Sequence, residues 1–139
     1  MSKRDDLHWP VKRALEKDGW TITADPLKLV YKGINLKADL GAERSFAAER
    51  AGRKIAVEVK DFDDGSATVE LQRAIGQLQM YQFALAADEP DRELFLAISE
   101  EVYYRYFQSP AFTDLIAYNR INLVVFEQTQ EVIVQWHKQ

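Results

Sequence analysis

Cysteine is absent from the chain. That excludes disulfides, thiolate nucleophiles and cysteine-ligated zinc or iron–sulfur centres. Histidine occurs only as His8 and His137, so a multi-histidine metal centre or a serine–histidine dyad has little to draw on. An excess of positive charge is also missing: 18 Lys and Arg stand against 22 Asp and Glu, a net charge of −4. This argues against charge-driven coating of nucleic acid, though not against a local basic groove. No apolar run approaches the roughly 20 residues of a membrane span, and Met1-Ser2-Lys3-Arg4-Asp5-Asp6 has no signal-peptide character. What is present suffices for a core, with 47% hydrophobic and 29% charged residues over 139 positions. A compact fold of this size buries about 68% of the surface its unfolded chain exposes. The expectation is one domain over 1–139, soluble and cytoplasmic, with no membrane association.

Periodicity orders the elements. Leu7, Val11, Ala14 and Leu15 lie on one face of a helix over Asp6–Asp18. Pro10 predicts that this helix begins or bends nearby, and Gly19 stops it. Trp20–Thr23 and Leu27–Tyr31 are extended in character, separated by Asp25-Pro26. Three strands are then expected, Leu36–Leu40, Ser45–Arg50 and Arg53–Lys60, with turns at Gly41 and Ala51-Gly52. Together they would form an antiparallel meander. Ser66–Ala87 switches to helical period, and Glu93–Ile98 reads as a strand from the middle of a sheet. Helices over Glu100–Phe107 and Ala111–Asn119, broken at Pro110, precede closing strands Ile121–Phe126 and Glu131–Trp136. This order predicts an α/β sandwich.

One constellation could do chemistry. In Arg53–Lys60, alternation puts Glu58 and Lys60 on the face opposite Ile55, Val57 and Val59. Asp39, on the first strand of the meander, can approach Glu58 if the strands pair as expected. Two carboxylates on adjacent strands suit Mg²⁺, a hard ion that keeps several waters. Such an ion activates water and stabilises charge on a scissile phosphate, while Lys60 orients the nucleophile or neutralises developing charge. An acid and a lysine two apart are more commonly a solvated face; only the combination in element order shifts the balance. Gln77 and Tyr81 stand one helical turn apart and could bind a metal water, a base edge or a phosphate. Equally, Tyr81 could pack in the core with Gln77 at its rim. Glu16 and Glu49 are candidates for a third carboxylate, with the solvated-acid reading ahead for both. His8 receives no chemical role. The acidic run Asp61-Phe62-Asp63-Asp64-Gly65 is not an EF-hand, because glycine falls at its fifth position and Gln72 at its twelfth. It reads as a loop into the long helix.

Asp39, Glu58-Val59-Lys60 and Gln77 through Tyr81 together resemble the PD-(D/E)XK nuclease superfamily, with Ala38 where its pattern has proline. The glutamine–tyrosine feature is similar to that of RecB-type nucleases. A fuller resemblance, to the XisH family, runs through Val11–Thr23, Asp25-Pro26-Leu27, Ala38–Arg44, Lys54–Lys60, Gly76-Gln77, Glu89-Pro90-Asp91-Arg92 and Glu131–Trp136. It implies a restriction-endonuclease-like sandwich, a central mixed sheet with a long helix after the third core strand. It also implies a role around programmed DNA rearrangement, since XisH proteins are known as controlling factors for excision of the cyanobacterial fdxN element, beside a partner called XisI.

Two readings follow. In the first the chain is a metal-dependent DNA endonuclease or nicking enzyme. Asp39 and Glu58 would hold Mg²⁺ or Mn²⁺, with Glu16 and the Val59 carbonyl as further ligands. Lys60 would assist the attacking water, and Gln77 with Tyr81 would position the centre. In the second it is a regulatory or binding subunit on a nuclease fold, acting through an XisI-like protein partner, because fold alone does not confer activity. A homo-oligomer is compatible with either. The aromatics Tyr103, Tyr104, Tyr106, Phe107 and Phe112 would cover the core or form a protein contact.

Overall fold

A computed structural model describes residues 3–35, 45–63 and 65–139. Helix α1 (Lys3–Lys17) leads into strand β1 (Thr21–Ala24) and a small hairpin, β2 (Val30–Tyr31) with β3 (Ile34–Asn35). Strands β4 (Ser45–Arg50) and β5 (Arg53–Val59) follow, then the long helix α2 (Ala67–Asp88) and strand β6 (Arg92–Ser99). Helices α3 (Glu100–Tyr106) and α4 (Pro110–Tyr118) precede β7 (Asn122–Glu127) and β8 (Val132–His137). Six strands make one sheet in the order β1-β4-β5-β6-β7-β8. It is parallel across β5, β6 and β7 and antiparallel at both margins. Parallel neighbours need crossovers; α2 supplies the first, α3 and α4 the second. The α/β sandwich expected from the sequence is the architecture observed, with a long helix directly after β5.

Side-chain alternation divides the core between the two faces of the sheet. Ile55, Val57, Val59, Phe95, Ala97 and Val124 pack with Val11, Ala14 and Leu15 of α1. Ala56, Leu94, Leu96, Ile98 and Val125 pack with Leu71, Leu78, Tyr81 and Leu85 of α2. All residues from Ile55 to Val59 are buried, as a strand covered on both faces requires. Glu58 is the one charged side chain among them.

Local chemistry explains the boundaries. Ala51-Gly52, both at positive φ, join β4 to β5 in the way a type I′ hairpin demands. Lys32-Gly33 do the same between β2 and β3. Helix α1 ends in a Schellman motif: Trp20 N–H donates to the Leu15 carbonyl and Gly19 N–H to that of Glu16, both at 3.0 Å. Gly19 takes φ +96° there, and closing the helix this way withdraws Trp20 from the strand expected to include it. Pro10 lies inside α1 rather than at its start, so the helix forgoes one main-chain hydrogen bond. Of the segment Leu27–Tyr31 only Val30 and Tyr31 form a strand. The expected strand Leu36–Leu40 and its turn at Gly41 lie outside the described residues. Among those residues, the neighbour of β4 on the side away from β5 is β1, with Thr21 opposite Glu49.

Candidate functional site

Strand β5 holds Glu58 at 1% exposure, with Ser45 of β4 and Leu96 of β6 as its neighbours. Taking a carboxylate out of water is costly, so Glu58 is not an acid of a solvated face. Its position two residues after Ala56 aims it at the layer occupied by α2. Lys60 follows the strand; its N–H donates to the Ala97 carbonyl at 3.2 Å, which keeps it in register with β6. The Lys60 side chain is half-buried. On α2, Tyr81 is completely buried and belongs to the same core as Ala56, while Gln77, one turn earlier, is half-buried. Glu58, Gln77 and Tyr81 are therefore directed into one layer by a strand and the helix that packs on it.

The remaining candidates separate from this group. Asp39 lies outside the described residues. Glu16 is exposed on α1, near Arg13, and α1 covers the other face of the sheet; the structure does not bring Glu16 to Glu58. Val59 turns its side chain to the α1 face, which leaves its carbonyl as the group a metal could use. Glu49 is half-buried, 3.9 Å from Arg92. Among the described residues no three His, Asp or Glu side chains gather as a metal cluster. Glu58 and the Val59 carbonyl are hard oxygen donors of the kind Mg²⁺ takes, in the small number it asks of a protein.

The chain leaving Lys60 has a feature that the spacing does not betray. Phe62 adopts φ +54° and is buried, its ring edge-on to Phe107 at 5.2 Å between centroids. A bulky residue in the left-handed region costs of order 1–3 kcal/mol and persists only where its surroundings hold it. Phe62 thus anchors the start of the loop into α2. Beside it a cavity of about 230 Å³ opens at the carboxyl ends of β5 and β6, lined by Asp61, Asp63, Ser99, Glu101 and Arg105. Open α/β sheets bind ligands at this end of their parallel strands. Of the aromatics singled out from the sequence, Phe107 and Phe112 are buried, Tyr103 and Tyr106 half-buried, and Tyr104 is 57% exposed.

His8 does have a structural partner. Buried to 1% exposure, it places Nε2 2.8 Å from Asp25 Oδ2, the same oxygen that accepts from Lys12 Nζ at 2.5 Å. Burial pushes the Asp25 carboxyl up, but the Lys12 and His8 hydrogen bonds outweigh it and hold the group below its ordinary value. The spacing of His8 and Lys12, four apart on one helix, was the available signal for a shared partner.

The XisH family model matches residues 1–134. An XisH family protein from Nostoc punctiforme is 42% identical with a TM-score of 0.88, over 96% of this chain and 99% of that one. An fdxN element excision controlling factor protein from Anabaena variabilis is 44% identical, with the same TM-score and the same coverage. No curated protein matches the chain.

Proposed function

The chain belongs to the XisH family, and from that premise we propose that it acts in excision of a DNA element, as a metal-dependent endonuclease of the PD-(D/E)XK type. One observation carries the reading: Glu58, a carboxylate at 1% exposure in an otherwise apolar stretch of strand. Burying a carboxylate is costly, and buried acids of this kind cluster at functional sites. Glu58, Asp39 and the Val59 carbonyl would hold Mg²⁺ or Mn²⁺, which when bound supplies an activated water and charge stabilisation at phosphate. Lys60 carries positive charge to the same strand end, and Gln77 with Tyr81 would position the centre from the helix side.

Calorimetric titration of Mn²⁺ tests the centre without a guess about substrate. Saturable binding is expected in the native chain and should be lost in an Asp39→Ala, Glu58→Ala variant. Lys60→Ala should abolish DNA cleavage while sparing metal binding; cleavage that survives removes Lys60 from the chemistry. A regulatory subunit is the second reading, favoured by the acids Asp61, Asp63 and Glu101 around the neighbouring cavity, where Arg105 is the one cation among the described residues. Such a rim repels phosphate. Co-purification with an XisI-like protein, or with a second copy of the chain, and no cleavage with any divalent metal would decide for it.

A further inference from the structure

The opposite end of the sheet holds a cavity of different chemistry. It has a volume of about 280 Å³ and lies between α2, the end of α4 and the amino ends of β6 and β7. Leu78, Leu94, Leu96 and Ile121 make its floor, and all are buried. Gln79, Gln82, Asn119 and Arg120 stand around it, and no acid among the described residues lines it. The Gln79 amide donates to the Asn119 carbonyl at 3.2 Å, which leaves its own carbonyl oxygen able to accept.

Arg120 is the residue that structural need does not explain. Helix α4 ends as α1 does, with Ile121 N–H donating to the Ile116 carbonyl at 3.0 Å and Arg120 N–H to that of Ala117 at 3.1 Å. The left-handed position of this motif favours glycine. At α1 it is Gly19; at α4 it is Arg120, at φ +53°. Arg120 is exposed and forms no salt bridge among the described residues. An exposed guanidinium held at the cavity rim by a left-handed backbone position is placed to meet a ligand.

We propose that this cavity binds a nucleotide unit, with its phosphate on Arg120 and its base on the aliphatic floor. Guanidinium forks match phosphate geometry, and amide side chains offer donor and acceptor together, as a base edge requires. Tyr118, adjoining Asn119, is 86% exposed and adds an aromatic face at the same helix end. A free nucleotide and the unpaired end of a DNA strand both present this chemistry. The inference does not depend on Glu58 holding a metal.

The test titrates the full chain with deoxynucleoside 5′-monophosphates and, separately, with a short 5′-phosphorylated single strand, following the Ile121 and Asn122 amide resonances. Saturable shifts are expected, with affinity falling about tenfold or more in Arg120→Gly. That variant should melt no lower than the native chain, because glycine relieves the left-handed strain. Gln82→Ala, which leaves the backbone unchanged, should also weaken binding. Shifts with the monophosphates alone identify a free nucleotide as the ligand; stronger binding of the strand identifies a DNA end. No saturable shift with either probe, or undiminished affinity in both variants, overturns the proposal.

Discussion

Asp25 collects two donors on one oxygen, Lys12 and the buried His8, and so ties α1 to the segment that follows β1. Its carboxyl is held below the ordinary value, so the folded state favours the charged form. The contribution is fully present above the unfolded value of about 3.9 and is lost as pH falls through the lower folded value. Asp25→Asn should therefore be less stable than the native chain at neutral pH, and the gap should close on acidification. Urea denaturation at a series of pH values reads this; a gap independent of pH would mean that the charge contributes nothing. At this scale the sequence was legible for residue type and opaque for environment. The Glu58–Lys60 spacing was visible, but nothing in it separates a solvated face from a carboxylate at 1% exposure. In the sequence Arg92 carries no signal beyond its place in the XisH-like segment Glu89-Pro90-Asp91-Arg92. The structure gives it a role: its guanidinium is buried, donates to the Ile55 carbonyl at 3.0 Å and forks onto Glu89 at 3.0 and 3.1 Å.

Three helices begin alike. Ser66, Ser99 and Ser109 each accept from the main-chain N–H three residues on, at 3.3, 3.2 and 3.3 Å. Each bond satisfies a donor that the first turn leaves without a helical partner. Ser66→Ala should cost about 1 kcal/mol by equilibrium denaturation, and restoring an oxygen with Ser66→Asp should recover most of it. Element type was well marked in the chain, because helical and alternating periods differ and Pro110 sits in the first turn of α4. The hairpin of β2 and β3 was not, since two-residue strands carry no period. Pro10 lies within α1 because the packing of Leu7, Val11, Ala14 and Leu15 outweighs the one main-chain bond that proline removes.

Across the whole molecule, the sheet separates two apolar layers that share few atoms. Substitutions on opposite sides should therefore add. Val124→Ala faces α1 and Leu78→Ala sits on α2; their separate costs should sum to that of the double variant within about 0.5 kcal/mol. A larger discrepancy, measured by the same denaturation, would show that strain crosses the sheet. Strand order was the least legible property of the chain. The pairing of Thr21 with Glu49 joins distant segments that have no local signature, which is why β1 was not legible as a neighbour of β4.

Both margins of this sheet are irregular. The register of β1 against β4 slips between Ile22 and Ala24, and that of β8 against β7 slips at Val125 and Phe126. Strand β1 has only four residues. Short, bulged margins make poor templates for a further strand. Among the described residues, amyloid-like stacking and edge-to-edge sheet extension are thereby disfavoured, which leaves the helices and loops as the surfaces better suited to assembly.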